Sequence, residues 1–199
     1  MSSASLRSLY RGSKVASHSG FTLLEVLITL AIISILTVLV MVRYGSFNSA
    51  VLLKNQAFEL ALDLREAQVY AISVRGDGSE FREEYGIYVN QDSSNNQQYI
   101  FWQDSQSAPV PAYNAGEELA TIPLDNRFYI SEICYDSDVS SCQSASLLHI
   151  SFARPNFDAT LRLPGGSEAS SARILISPVD DPSIYRSVYI TSTGLITVE

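Results

Sequence analysis

Histidine is almost missing from this chain: of two in 199 residues, one lies within the first twenty and the other is His149. In Leu148-His149-Ile150 the strand alternation that turns Leu148, Ile150 and Phe152 inward turns His149 to the opposite face, and a lone surface histidine reads as structural. No nucleophile, base and acid can be assembled around it. No serine sits in a Gly-x-Ser-x-Gly context, and Pro164-Gly165-Gly166-Ser167 lacks the Lys and Ser/Thr of a phosphate loop, so a hairpin turn explains its glycines. Cysteine is equally scarce. Cys134 and Cys142 have no histidine neighbours and make no zinc site, while Asp136-x-Asp138 lacks the Gly and distant Glu of an EF-hand and reads as a solvated turn. The expectation is a non-enzymatic chain without metal or cofactor. Basic charge is short as well: 13 Lys+Arg stand against 21 Asp+Glu, a formal charge of −8. Nucleic-acid affinity comes largely from Lys and Arg displacing counterions, so a polyphosphate partner is disfavoured.

Long apolar runs are lacking too, with one exception. From Phe21 to Val42 the chain is uncharged but for Glu25, and at 1.5 Å per helical residue it spans roughly 33 Å, enough to cross a bilayer core. A carboxylate at the centre of a membrane helix costs on the order of 2–3 kcal/mol, which marks Glu25 as functional and in need of a partner. Residues 1–20 carry Arg7, Arg11 and Lys14 and no acid, so the positive-inside bias holds the amino end in the cytoplasm. The rest of the chain is then exported. A secretory signal would be cut beyond its apolar core at a small-x-small site, yet Arg43-Tyr44-Gly45-Ser46 follows Val42. Gly20, on the near side, is the better candidate.

Gly20-Phe21-Thr22-Leu23-Leu24-Glu25, preceded by a basic leader and joined to an apolar run, resembles the cleavage and methylation signal of type IV prepilins and type II secretion pseudopilins. The resemblance implies that prepilin peptidase cuts after Gly20 and methylates the new terminal Phe21, leaving Glu25 as the fifth mature residue. Losing Arg7, Arg11 and Lys14 with the leader takes the formal charge from −8 to −11. It also leaves an amine on Phe21, costly in lipid unless it meets a carboxylate. With an axial offset between subunits, Glu25 of one neutralises the Phe21 amine of its neighbour; the alternative is a contact within one chain. The implied partners are the peptidase, other pilin or pseudopilin subunits and inner-membrane lipid. The implied location is a single pass through the inner membrane, head exported, and then the filament.

Beyond the membrane run, Leu53, Ala57, Leu60, Ala61, Leu64, Ala67 and Ala71 recur at three- and four-residue steps, while Lys54, Glu59, Asp63, Arg65 and Glu66 take other faces. This predicts an amphipathic helix, with a bend or local melting at Gly45 and a stop near Gly76-Asp77-Gly78. Eight β-branched and aromatic runs follow: 85–89, 98–102, 127–133, 147–152, 159–163, 172–176, 187–190 and 195–198. Turn residues such as Pro109-Val110-Pro111 and Thr193-Gly194 separate them. The helix needs an apolar surface and the strands need a cover, so an α+β head packs residues of about 50–75 across one antiparallel sheet. The layout resembles the pilin fold: leader 1–20, membrane helix 21–42, amphipathic helix 43–76, β-rich head 77–199. In an exported head, Cys134 and Cys142 around a polar turn favour a disulfide over free thiols. Trp102, next to Phe101 and near Tyr99, reads as core rather than as a stacking platform for a base or sugar.

Phe58 to Gln68 and the closing Arg173-Ile174-Leu175-Ile176-Ser177 with Thr193-Gly194-Leu195-Ile196 look most like the GspH/FimT group of minor pilins and pseudopilins. Two functions then compete: a structural subunit of a type IV pilus or pseudopilus, and a ligand- or DNA-binding minor pilin of an uptake or adhesion pilus. Some FimT-like proteins bind DNA through a Gly-Arg-x-Arg stretch near the carboxyl end. Here the comparable position is Gly194-Leu195-Ile196-Thr197, without arginine, which weighs against the second.

Overall fold

The computed structural model describes residues 20–73, 84–104 and 112–199. The basic leader residues, the expected helix stop at Gly76-Asp77-Gly78 and the turn at Pro109-Val110-Pro111 lie outside these. The chain forms two compact units, the first ending at Gly45 and the second spanning Ser46–Glu199. In the first, Leu23–Met41 is a helical stretch long and apolar enough to cross a membrane, with none of it buried within the protein. It belongs to helix α1 (Leu23–Ile72). The helix runs through Gly45 without interruption, so the expected local melting does not occur. A single glycine costs only about 1 kcal/mol relative to alanine, less than the surrounding helix formers supply.

In the second unit α1 buries Leu53, Ala57, Leu60, Ala61, Leu64, Ala67 and Ala71, the seam that the three- and four-residue spacing marks out. Each fully buried leucine contributes about 1.5–3 kcal/mol, and the alanines let the backbone of the sheets approach closely. Ser73 closes the helix by donating its backbone N–H to Val69 O, 2.9 Å away.

The head holds two antiparallel sheets rather than the expected one. The first is six-stranded, in the order β3-β2-β1-β6-β7-β8. It is built from β1 (Tyr85–Asn90), β2 (Gln98–Gln103), β3 (Glu118–Pro123), β6 (Leu147–Phe152), β7 (Ala159–Arg162) and β8 (Glu168–Ala169). The second is five-stranded, in the order β11-β10-β9-β4-β5. It holds β4 (Phe128–Tyr135), β5 (Gln143–Ser144), β9 (Ser171–Pro178), β10 (Arg186–Thr191) and β11 (Ile196–Val198). Strands β3, β5 and β8 were not foreseen, because two are only two residues long and β3 is largely exposed on both faces. It therefore shows no alternation to read. The inner faces of both sheets and the seam of α1 form a single core that includes Ile87, Val89, Leu148, Ile150, Ile174, Ile176, Val188 and Ile190. Sequence alternation reports that a strand has a covered face; it carries no information on which strands share a sheet.

Polar contacts fix α1 against both sheets. Tyr99 on β2 donates to Asp63 Oδ2 at 2.5 Å, and Tyr70 meets the rings of Tyr85 and Phe101 edge-on at 5.8 and 5.7 Å. On the other side Arg65 donates to Ile196 O at 3.1 Å. Gln68 Nε2 donates to Phe157 O at 2.8 Å and to Gly194 O at 3.2 Å. Gly194 has φ +80°, and a Cβ there would lie 2.0 Å from Phe157 O. Only glycine admits this turn against the helix.

Cys134, buried at the end of β4, and Cys142 form a disulfide with Cα atoms 5.1 Å apart. It closes the β4–β5 connection, which includes the short 3-10 turn Val139–Ser141, and contributes about 2–3 kcal/mol in the loop-entropy account. On the outer face of the first sheet, Tyr113 crosses over β1 and β6. Its ring contacts Tyr88 with centroids 4.9 Å apart, and its backbone N–H donates to His149 Nδ1 at 3.1 Å. His149 is on the expected face, but it is half-covered rather than open to solvent because the 112–117 segment lies over it.

As an acceptor, His149 Nδ1 must be unprotonated, so the ring proton is on Nε2. Burial, with repulsion from Arg162, lowers its pKa to about 4. The unfolded residue titrates near 6.5. Between these values the unfolded chain binds a proton that the folded chain refuses, so this share of stability is intact above roughly pH 6.5 and is lost as the pH falls to about 4. His149→Gln keeps an acceptor without the titration. Thermal melts of both proteins at pH 7 and pH 4.5 are expected to show a smaller loss of Tm on acidification for the variant; equal losses would dismiss His149 as the source.

Candidate functional site

The head offers three places where the sequence raised chemistry, and the structure assigns each a structural use. Asp136, at φ 45°, accepts from Ser170 N, Ser170 Oγ and Ser171 N at 2.7, 2.7 and 2.9 Å. These bonds hold its carboxyl below the usual range. Asp138 pairs with Arg173 at 3.4 Å, so the two carboxylates do not converge on a common point as calcium ligands would. Glu132 lies close to Cys134 and Cys142, but their sulfurs are bonded to each other and offer no thiolate. Trp102 is fully buried over Gly86, its cross-strand partner, where a Cβ would fall 3.0 Å from the indole. Its ring is closed to a base or sugar.

The segment comparable to the arginine-bearing stretch, Gly194 to Thr197, is held by Gln68 and Arg65 through backbone carbonyls. It is a clamp between α1 and the final hairpin. Elsewhere in the head Asp125, held by the Arg127 guanidinium through two hydrogen bonds, drops to about 2.

The amino-terminal unit differs. Gly20, Phe21 and Thr22 precede α1 without regular structure, and Phe21 is 81% exposed. A peptide bond in this position is accessible, whereas one inside a hydrogen-bonded helix is not. Among the described residues nothing lies within 4 Å of where a Gly20 Cβ would sit. Thr22 caps the helix, its Oγ1 accepting from Glu25 N at 3.2 Å and its carbonyl from Val26 N at 3.2 Å. Thr22-x-x-Glu25 thus has the spacing of a capping box, a signal that was present in the sequence and overlooked there. Only the threonine half of the box is made among the described residues: the Glu25 carboxylate, in the first turn, receives no hydrogen bond from them. By contrast Thr29 and Thr37 satisfy their hydroxyls on Val26 O and Ile33 O at 2.9 and 2.8 Å. That back-bonding is what an apolar environment requires of a hydroxyl. Glu25 finds no such solution among the described residues, and its charge is placed where the helix dipole favours an anion.

A second feature of α1 lies in the head unit. Val51, Phe58, Leu62 and Val69 are 43%, 44%, 61% and 57% exposed. Their spacing of seven, four and seven residues lines them up on one narrow stripe, and at 3.6 residues per turn that stripe is nearly opposite the buried seam. The amphipathic reading counted the apolar positions that face the core and passed over these, because they share the same repeat half a turn away.

Comparison with known proteins agrees with the amino-terminal geometry. Residues 16–41 match the family model of the prokaryotic N-terminal methylation motif. No curated protein and no solved structure is significantly similar to the chain. The chain carries the methylation motif of type IV prepilin-like proteins, followed by an apolar helix and an α+β layout consistent with a pilin fold.

Proposed function

We propose that this protein is a non-catalytic structural subunit, a minor pilin or pseudopilin, of a type IV pilus or type II secretion pseudopilus. Prepilin peptidase removes residues 1–20 between Gly20 and Phe21 and methylates Phe21. Residues 21–42 anchor the protein in the inner membrane, 43–76 continue into the head, and 77–199 form the exported head, with GspH/FimT proteins as the nearest subgroup. The observation that carries this reading is the methylation motif running directly into an apolar helix whose first-turn carboxylate has no partner among the described residues. In the filament Glu25 meets the Phe21 amine of a neighbouring subunit, which relieves the cost of both charges in lipid.

The exposed stripe of α1 supports the same reading from the head side. A row of Val, Phe, Leu and Val opposite a buried seam makes the helix apolar on two faces, and a helix so built packs on something at each. The sheets take one face; a neighbouring subunit takes the other.

Three substitutions separate maturation, anchoring and assembly. Gly20→Leu is expected to leave the uncleaved form accumulating in the membrane, since the local space is open and the obstruction is to the peptidase. Normal processing on an immunoblot would move the cleavage site elsewhere. Glu25→Val eases insertion by up to ~2–3 kcal/mol, so membrane levels and cleavage hold. It leaves a neighbour's amine uncompensated at a cost of about 3–5 kcal/mol, so incorporation into sheared or crosslinked filaments is lost. Wild-type incorporation would show that Glu25 does not pair with Phe21. Leu62→Glu should change the stability of the head by no more than a surface substitution does, within about 0.5 kcal/mol, while lowering filament incorporation at least severalfold; unimpaired assembly would remove the stripe from the interface.

A further inference from the structure

On the outer face of the first sheet, away from α1, the β1–β2 hairpin and Tyr113 border a half-open hollow of about 260 Å³. Among the described residues it is lined by Tyr88, Asn90, Asn95, Gln98, Ile100 and Tyr113, with Tyr99 at its edge. The lining contains no charged side chain, on a chain with a formal charge of −8. Its aromatic wall is held from outside the hollow. Tyr113 is fixed by its backbone bond to His149 at 3.1 Å and by its hydroxyl, which donates to Glu118 Oε1 at 2.5 Å. Tyr88 is gripped between the rings of Tyr113 and His149, both with centroids 4.9 Å away. Asn90 Nδ2 donates to Tyr88 Oη at 3.2 Å and Asn90 Oδ1 accepts from Asp92 N at 2.7 Å, which orients that amide. The side-chain amides of Asn95 and Gln98 make no hydrogen bond to the described protein. They offer donors and acceptors beside fixed ring surfaces.

We propose that this hollow binds a neutral saccharide, one terminal sugar ring of a glycan. Each part of the lining selects for that chemistry. Fixed tyrosine rings present apolar surface to the C–H face of a pyranose, and their preorganisation lowers the entropic cost of binding. Primary amides pair donor and acceptor to adjacent hydroxyls, which act as both. Among the described lining residues no Lys, Arg or His gives a phosphate, sulfate or carboxylate a counter-charge, and no Asp or Glu gives a cation one. The volume falls slightly below the range of drug-sized sites, which suits one ring better than an extended chain. A proline-rich peptide also lies on aromatic surfaces, but it needs a groove several residues long, which a hollow of about 260 Å³ does not provide. The site is independent of the filament reading: it lies on the face of the sheet away from α1, and neither Glu25 nor the exposed stripe takes part.

The test uses the full chain in detergent on an array of neutral, sialylated and sulfated glycans, followed by ligand-observed saturation-transfer NMR with the free terminal sugar of any hit and with a proline-rich decapeptide. Binding of glycans with a neutral terminal sugar is expected, with transfer strongest on the ring C–H protons. Gln98→Leu and Asn95→Ala, both at positions where no side-chain hydrogen bond to a described residue is lost, should each weaken binding about tenfold while leaving the melting temperature unchanged. Tyr113→Ala should abolish it, and circular dichroism would report whether the head still folds. Binding confined to acidic glycans or to the peptide, no binding to any neutral glycan, or binding unaltered by both amide variants would overturn the assignment. Loss of filament incorporation in Glu25→Val leaves this readout untouched, so the two readings fail separately.

Discussion

Leucine and alanine alternate along one seam of α1, and every other element of the head takes its place from the burial of that seam. Leu53, Leu60 and Leu64 supply apolar area, and Ala57, Ala61, Ala67 and Ala71 supply closeness. The two sheets therefore meet the same helix and share one core instead of forming separate layers. An α-helix covering two sheets must also solve a polar problem at each flank, since strand ends and turns bring backbone carbonyls next to it. Arg65, Gln68 and the Asp63–Tyr99 pair answer that need. Burial raises the Asp63 carboxyl, with the Tyr99 hydrogen bond opposing. The tyrosine hydroxyl is pushed up by burial and by its bond to that carboxylate.

Legibility in the sequence followed the range of the interaction involved. The seam of α1 was readable residue by residue, because helical periodicity is a local property and Leu53 to Ala71 repeat it without exception. The longer strands were readable for the same reason, through their β-branched and aromatic runs. The partition into two sheets was not, since strand pairing is decided by contacts between residues far apart in the chain. Short and edge strands escaped because they carry too few residues, or too little burial, to show a pattern. Local melting at Gly45 was given too much weight, as a propensity of about 1 kcal/mol does not outvote a long helix. His149 was assigned the right face and the wrong surroundings, for its cover comes from residue 113.

At the amino end the order was reversed: the sequence said more than the backbone could add. An acid at residue 25 in an uncharged run is conspicuous as text, and the structure contributes the reason why it stays conspicuous. Threonines in the same helix fold their hydroxyls back onto carbonyls, an escape that a carboxylate lacks. The capping geometry at Thr22 adds that Glu25 sits at the favourable pole of the helix dipole, so its charge is tolerated locally while still lacking a counter-charge.

The clamp between α1 and the final hairpin sets an order of events. Arg65 reaches Ile196 across 131 positions of sequence and Gln68 reaches Gly194 across 126. Contacts of such separation form late, after the loop between them has been closed. The apolar stretch Leu23–Met41 meets its surroundings as soon as it is made, but the head remains unclosed until the polypeptide as far as Ile196 is available. During that interval the leucine and alanine seam is bare beside an equally apolar neighbour on the same helix. Vulnerability to proteolysis is therefore greatest before the last strand arrives.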